Sequence, residues 1–278
     1  MPSPSPGGAM GLMQALSDYT LGELELALSA WGFKPSHARS VLRAYYHGDA
    51  SPDWRSMLLP KALITRLETE LSSRKATLAA RQVAEDGTVK VLSRLHDGKT
   101  VESVLMPDFR ADRAAGCISS QVGCAMGCDF CATTKSGFER NLSAGEMVEQ
   151  FLALRREALD TNRRLRTLVF MGMGEPLLNL DNVLAAVRRM ASNDLGALGW
   201  RQITVSTVGI VPGIEALTAA NLNIHLAVSL HAPDDETRSR LLPMGKRFHV
   251  HAVLAAADRY QAVTGRPVTI QYCLLKGV

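Results

Sequence analysis

Cys124-Ala125-Met126-Gly127-Cys128-Asp129-Phe130-Cys131 places three thiols in one short stretch, spaced Cys-x-x-x-Cys-x-x-Cys. Thiolates this close in sequence can converge on one metal centre, and cysteine is the usual ligand of iron–sulfur clusters. A four-iron cluster held by only three protein ligands leaves one iron open to an exogenous molecule, much as a catalytic zinc keeps a position open. The alternative is a structural zinc knuckle, with His96, His225 or His231 as its fourth ligand.

The surroundings of the stretch predict the fold. From Cys117 onward, short apolar runs alternate with helical segments. The runs Cys117–Val122, Leu168–Met171, Ile203–Ser206, Ile224–Ser229 and Val268–Leu275 read as strands, and their lack of clean alternation suits parallel strands buried on both faces. Ser143-x-x-Glu146 is a capping box ahead of Met147, Phe151 and Leu154, and Asn179 or Asp181 can cap a helix carrying Val183, Leu184 and Val187. Pro212 fits the first turn of a short helix through Leu217, and Val250, Val253, Leu254 and Ala257 mark another. Five strands with intervening helices predict an α/β parallel sheet or open barrel, in which functional groups gather at the carboxyl ends of the strands.

The cysteine stretch lies in the first such loop. The second strand ends in Gly172-Met173-Gly174-Glu175-Pro176, where glycines let backbone approach a ligand and Glu175 can accept hydrogen bonds from a ligand amine. The third ends at Ser206-Thr207-Val208-Gly209 and the fourth at Ser229-Leu230-His231. A zinc knuckle has no need of such a rim, which favours the cluster.

Upstream, MPSPSPGGAM is Pro/Ser/Gly-rich, and residues 1–15 are expected to be a disordered tail. Residues 16–95 are expected to form a helical accessory domain with the start of a β-hairpin, and 96–278 the core. Thr20-x-x-Glu23 is a capping box followed by Leu24, Leu28 and Trp31; after Pro35 and Pro60 the helical spacing repeats. Val89, Val91 and Leu95 alternate up to Asp97-Gly98, with Val101 and Leu105 beyond it, a hairpin signal. Glu102 sits on the second strand of that hairpin, where by itself it reads as an exposed carboxylate.

The 278 residues, 46% of them hydrophobic, suffice for one large domain or a medium one with a small partner. No apolar run approaches the ~20 residues of a membrane span, and no signal pattern opens the chain, so a soluble cytoplasmic protein is expected. Four of the five cysteines lie between Cys117 and Cys131, unlike a secreted disulfide framework. A net charge of +4 permits an RNA partner without requiring one. The local groups Arg163, Arg164 and Arg166, Arg188 and Arg189, and Arg238, Arg240, Lys246 and Arg247 each read as a solvated face.

Cys-x-x-x-Cys-x-aromatic-Cys in such a loop resembles the radical S-adenosylmethionine (SAM) superfamily. The stretches Cys117-Ile118-Ser119-Ser120-Gln121-Val122-Gly123-Cys124, Gly137-Phe138-Glu139-Arg140-Asn141-Leu142, Gly172-Met173-Gly174-Glu175-Pro176-Leu177-Leu178-Asn179 and Ser229-Leu230-His231-Ala232-Pro233 narrow the match. They resemble the RNA adenosine methyltransferases of the RlmN and Cfr type, nearer to RlmN, from about Glu102 to Val278.

That resemblance implies a partial (β/α)6 barrel, incomplete here with about five strands, and a small N-terminal helical accessory domain. It implies a 4Fe-4S cluster on Cys124, Cys128 and Cys131, with SAM contacted by Gly174, Glu175, Ser206, Ser229, Leu230 and His231. Glu102 matches a proton acceptor, and Cys117 the thiol that takes a proton from the methylated carbon. In such enzymes one SAM methylates a cysteine near the C-terminus. A second SAM yields a 5′-deoxyadenosyl radical that activates this methyl for attack on carbon 2 of adenine, and Cys117 then closes a disulfide with the methyl-carrying cysteine as product leaves. The implied partners are 23S ribosomal RNA, tRNA, and an electron donor such as flavodoxin or ferredoxin, with the enzyme a monomer. The sequence stops at Lys276-Gly277-Val278, so the sixth strand, a SAM-contacting asparagine and the methyl-carrying cysteine are expected beyond it. Cys273 is expected to be a buried core residue within the fifth strand, and a chain of this length is expected not to methylate RNA. Methylation of carbon 8, and a non-catalytic, metal-stabilised RNA-binding module, are the competing readings.

Overall fold

A computed structural model describes residues 15–47, 52–71, 76–195, 198–274 and 276. The expected tail lies outside these residues except for Ala15, which is buried. Helix α1 (Leu21–Ala30) begins at Thr20, whose hydroxyl accepts the Glu23 N–H while the Glu23 carboxylate accepts the Thr20 N–H. With α2 (His37–His47) and α3 (Lys61–Thr69) it buries Leu24, Leu28, Val41, Leu42, Leu63 and Leu67, as the helical spacing predicts.

Strands β1 (Ala76–Val83), β2 (Val89–Leu95) and β3 (Thr100–Pro107) form an antiparallel meander, and β3 pairs antiparallel with β4 (Arg113–Cys117). A separate small hairpin follows, β5 (Gln121–Gly123) with β6 (Phe138–Asn141). Strands β7 (Arg164–Phe170), β8 (Ile203–Thr207), β9 (His225–Ser229) and β10 (Val268–Gln271) then add side by side, all parallel to β4. The result is one open eight-stranded sheet with β1 and β10 as its edges. Helices α4 (Ala144–Asp160), α5 (Leu180–Met190), α6 (Val211–Ala220), α7 (Asp235–Leu241) and α8 (Val250–Thr264) occupy the connections. The α/β class and the five parallel strands stand as expected.

Four details differ from the sequence reading. The first parallel strand ends at Cys117 instead of beginning there. Arg113-Ala114-Ala115-Gly116 carries no branched or aromatic residue and owes its extended form to the strands flanking it. Strand β1 was not expected at all, because Ala76–Val83 lacks the alternation that marks β2 and β3. The division after Leu95 falls at the β2–β3 turn, so the sheet runs across it. Finally, the parallel strands are buried less completely on one face, where Ser206 and Ala227 are buried but their neighbours are not. Ala114, Leu168, Phe170, Ile203, Val205, Leu226 and Val228 are buried, whereas Cys117, Val169, Thr204, His225 and Ser229 on the other face are half-buried.

The buried face is covered by helices. Helix α4 packs against β1, β2, β3, β4 and β7, and α8 against β10. At Gly116 an added Cβ would lie 3.0 Å from Leu154 Cδ1, so α4 approaches the sheet closely there. Arg140 of β6 fastens the assembly: its two terminal nitrogens donate to both Glu146 oxygens at 2.9 Å, and its Nε donates to Asp97 at 2.7 Å. No helix of the described residues is long and apolar enough to cross a membrane.

Candidate active site

The cysteine loop leaves β5 and is pinned along its length. Cys124 N–H donates to the Gly137 carbonyl at 2.9 Å, Gly127 N–H to Thr134 Oγ1 at 2.8 Å and Asp129 N–H to the Leu241 carbonyl at 3.0 Å. Gly123 is sterically required where the loop begins, because its φ is +72° and a Cβ there would sit 1.9 Å from the Gly137 oxygen. Cys124 and Cys128 are buried, Cys131 is half-buried, and all are free thiols. Burial raises the Cys124 pKa, opposed by backbone N–H groups of Met126 and Gly174 at its sulfur. Cys128 is pushed up to about 11 by burial, then by the charges of Cys124 and Cys131.

Among the described residues, no three His, Cys, Asp or Glu side chains converge tightly on a single ion. The donor set nevertheless fits an iron–sulfur cluster. Three crowded thiols, two of them buried, would share their charge as thiolates, and a cationic core is what offsets it.

The loop after β7 lies against these thiols. Gly172 and Gly174 were expected to admit a ligand, but the close approach is to the chain itself. An added Cβ would lie 2.7 Å from Ser119 Oγ at Gly172, and 2.5 Å from Gln121 Cβ at Gly174. Glu175 N–H donates to Gln121 Oε1 at 2.8 Å, and its carboxylate accepts the Leu177 N–H at 3.0 Å and the Val208 N–H at 2.9 Å. Only 2% of Glu175 is exposed, and burial pushes its pKa up to about 7.

Ser206 on β8 and Ser229 on β9 face the same side of the sheet, and both hydroxyls donate to Gln271 Oε1, at 3.1 and 3.0 Å. Leu230 is buried. His231 has φ +59°; its ring meets Phe130 of the cysteine loop edge-on with centroids 4.9 Å apart, and its Nδ1 accepts the Cys273 N–H at 3.1 Å. Cys273 therefore departs from expectation. Strand β10 ends before it, and the residue is half-buried beside His231 instead of within the core.

Cys117 ends β4 opposite Val104 and Val169, and burial pushes its thiol up to about 11. It is a free thiol, and no disulfide forms among the described residues. Glu102 lies two residues from Val104 and thus on the same sheet face as Cys117. Its carboxylate is half-exposed, 3.4 Å from Lys90 Nζ.

The sequence-predicted residues thus meet on one rim and one face. Sequence reasoning missed Gln121, Gln271 and Arg238. The last was read as part of a solvated face, yet it is fully buried and donates to the Phe248 carbonyl at 2.9 Å and to the Val208 carbonyl. A polar side chain inside the run Val268–Leu275 was the available signal for Gln271.

Residues 118–278 match the Radical SAM superfamily. The chain is 66% identical to a probable dual-specificity RNA methyltransferase RlmN 1 of Opitutus terrae, over 95% of the chain and 74% of that protein. It is 38% identical to the dual-specificity RNA methyltransferase RlmN of Wolinella succinogenes, over 96% of the chain and 76% of that protein. A crystal structure of a radical SAM methyltransferase from Sphaerobacter thermophilus superimposes with a TM-score of 0.88 at 43% identity, covering 95% of the chain and 77% of its counterpart.

Proposed function

Because the chain belongs to the radical SAM superfamily, and within it to the RlmN-type RNA methyltransferases, we propose that its full-length lineage methylates carbon 2 of adenosine in 23S ribosomal RNA and tRNA. The observation that carries this reading is the placement of Cys117 and Glu102 on the half-exposed sheet face below the rim bearing Cys124, Cys128, Cys131, Glu175, Ser206, Ser229 and His231. When bound, a 4Fe-4S cluster and SAM supply a carbon radical, which an electrophilic aromatic carbon needs because it cannot attack an ordinary SAM methyl. Cys124, Cys128 and Cys131 hold the iron through their thiolates. Gly174, Glu175, Ser206, Ser229, Leu230 and His231 line the SAM side of the rim.

Burial holds Cys117 as a neutral thiol, so a base must take its proton before the sulfur can accept one from the ring. Glu102, a half-exposed carboxylate on the same face, has that role. RNA reaches the face from the antiparallel side of the sheet, where Lys90 and Arg94 of β2 stand exposed beside Glu102. Reducing electrons come from a cytoplasmic flavodoxin or ferredoxin.

The test is incubation of the anaerobically cluster-loaded full-length protein with SAM, reductant and 23S rRNA or tRNA, followed by nucleoside mass spectrometry. A product co-eluting with 2-methyladenosine is expected. A carbon-8 product would assign the enzyme to the Cfr-like reaction instead.

A further inference from the structure

Gln271 closes β10 directly opposite Ser229 in the parallel register. Its backbone carbonyl accepts the Leu230 and His231 N–H groups at 3.1 and 3.3 Å, fixing the turn that follows β9. Its side chain has two distinct ends. Oε1 accepts from both Ser206 and Ser229, while Nε2 points at Met171 Sδ at 3.4 Å. A thioether sulfur is only an acceptor, so the amide nitrogen belongs there and the oxygen end belongs to the serines.

A serine hydroxyl has one proton to donate. In both serines that proton is engaged by Gln271, so each oxygen turns only lone pairs toward the half-exposed face. The two oxygens stand on neighbouring strands, Ser229 two residues beyond the partner of Ser206, and both lie within 3.1 Å of the one Oε1 atom. A pair of neighbouring acceptors matches a pair of neighbouring O–H donors, and a vicinal diol is that group.

We propose that Gln271 is a positioning residue, setting Ser206 and Ser229 as a paired acceptor for the ribose diol of SAM. This rests on the SAM-binding reading above. It explains why a carboxamide ends β10, and why Oε1 serves two hydroxyls at once. A carboxylate in its place would accept in the same way, whereas an aliphatic side chain would free both hydroxyl protons to rotate.

The experiment is calorimetric titration of the anaerobically cluster-loaded full chain with SAM and with its 2′-deoxy analogue. Wild-type protein is expected to prefer SAM roughly tenfold, the size of one hydrogen bond left unmade. Q271L is expected to bind SAM roughly tenfold more weakly and to lose the preference. Q271E is expected to keep both affinity and preference, and this arm decides the matter if Q271L does not fold. A merely structural role would weaken both ligands equally, so a preference retained in Q271L overturns the inference, as does a preference lost in Q271E. Wild-type binding without any preference overturns this inference alone. Wild-type failure to bind SAM overturns the SAM reading and this inference with it.

Discussion

Glu175 and Arg238 hold one residue from opposite sides: Glu175 Oε2 accepts the Val208 N–H at 2.9 Å, and Arg238 Nη2 donates to the Val208 carbonyl. Both side chains are buried, at 2% and 0% exposure. Burying either charged group is costly, and hydrogen bonds to backbone are what offset it. Val208 follows β8, so the two side chains together set the path of the chain away from Ser206.

This shared grip predicts non-additive stability. E175A strands the Leu177 and Val208 N–H groups, and R238L strands the Val208 and Phe248 carbonyls; each is expected to cost about 3 kcal/mol. In the double variant one grip is already gone, so the combined loss should fall short of the sum by about 1 kcal/mol. Denaturant unfolding measures all three, and strict additivity would show that Val208 is not held jointly.

Two glycines at the mouth of the cysteine loop should respond unequally. Gly123→Ala drives a Cβ to 1.9 Å from the Gly137 oxygen at φ +72°, so the loop must move. Loss of iron incorporation and a destabilisation above about 3 kcal/mol are expected. Gly137 has φ +74° and ψ −177° with nothing within 4 Å of an added Cβ, a backbone region held almost only by glycine, so Gly137→Ala should cost only that backbone strain of about 1–3 kcal/mol and keep its iron. Iron content with thermal unfolding separates the pair.

His231 should make folding sensitive to acid. Burial, aided by the Arg238 charge, lowers its pKa from the ordinary 6.5, and its Nδ1 must stay unprotonated to accept the Cys273 N–H. A base whose folded pKa is depressed stabilises the fold fully above its unfolded value, and that contribution is lost as pH falls through the folded one. Stability is therefore expected to decline on acidification below 6.5. His231→Asn, which tolerates the φ of +59°, should reduce that slope. Urea titrations across this range read the slope, and an unchanged value in the variant would remove His231 from the acid response.

How much of this was legible depended on how local each signal was. The thiol spacing, the Ser143 and Thr20 capping boxes and the Asp97-Gly98 turn are written in neighbouring residues, and the structure has each of them. Strands β1 and β4 escaped because Ala76–Val83 and Arg113–Cys117 are extended through their partners in the sheet, which no local window contains. Arg238 looked like one cation among several on a short helix. Only the packing of α7 against the Val208 and Phe248 backbone makes it interior. Gln271 gains its role from Ser206, sixty-five positions away, a separation across which composition and periodicity carry nothing.

The central claim is that Cys124, Cys128 and Cys131 hold a cluster with one iron open to SAM. Its most direct measurement is iron and labile-sulfide analysis of the anaerobically reconstituted protein, together with the electron paramagnetic resonance spectrum of the reduced sample before and after SAM. About four irons per chain are expected, with a spectrum that SAM changes. The cluster should be lost on replacing any one of the three thiols by Ala, and kept in Cys117→Ala and Cys273→Ala. Stoichiometric zinc without sulfide, or a cluster spectrum indifferent to SAM, would contradict the account.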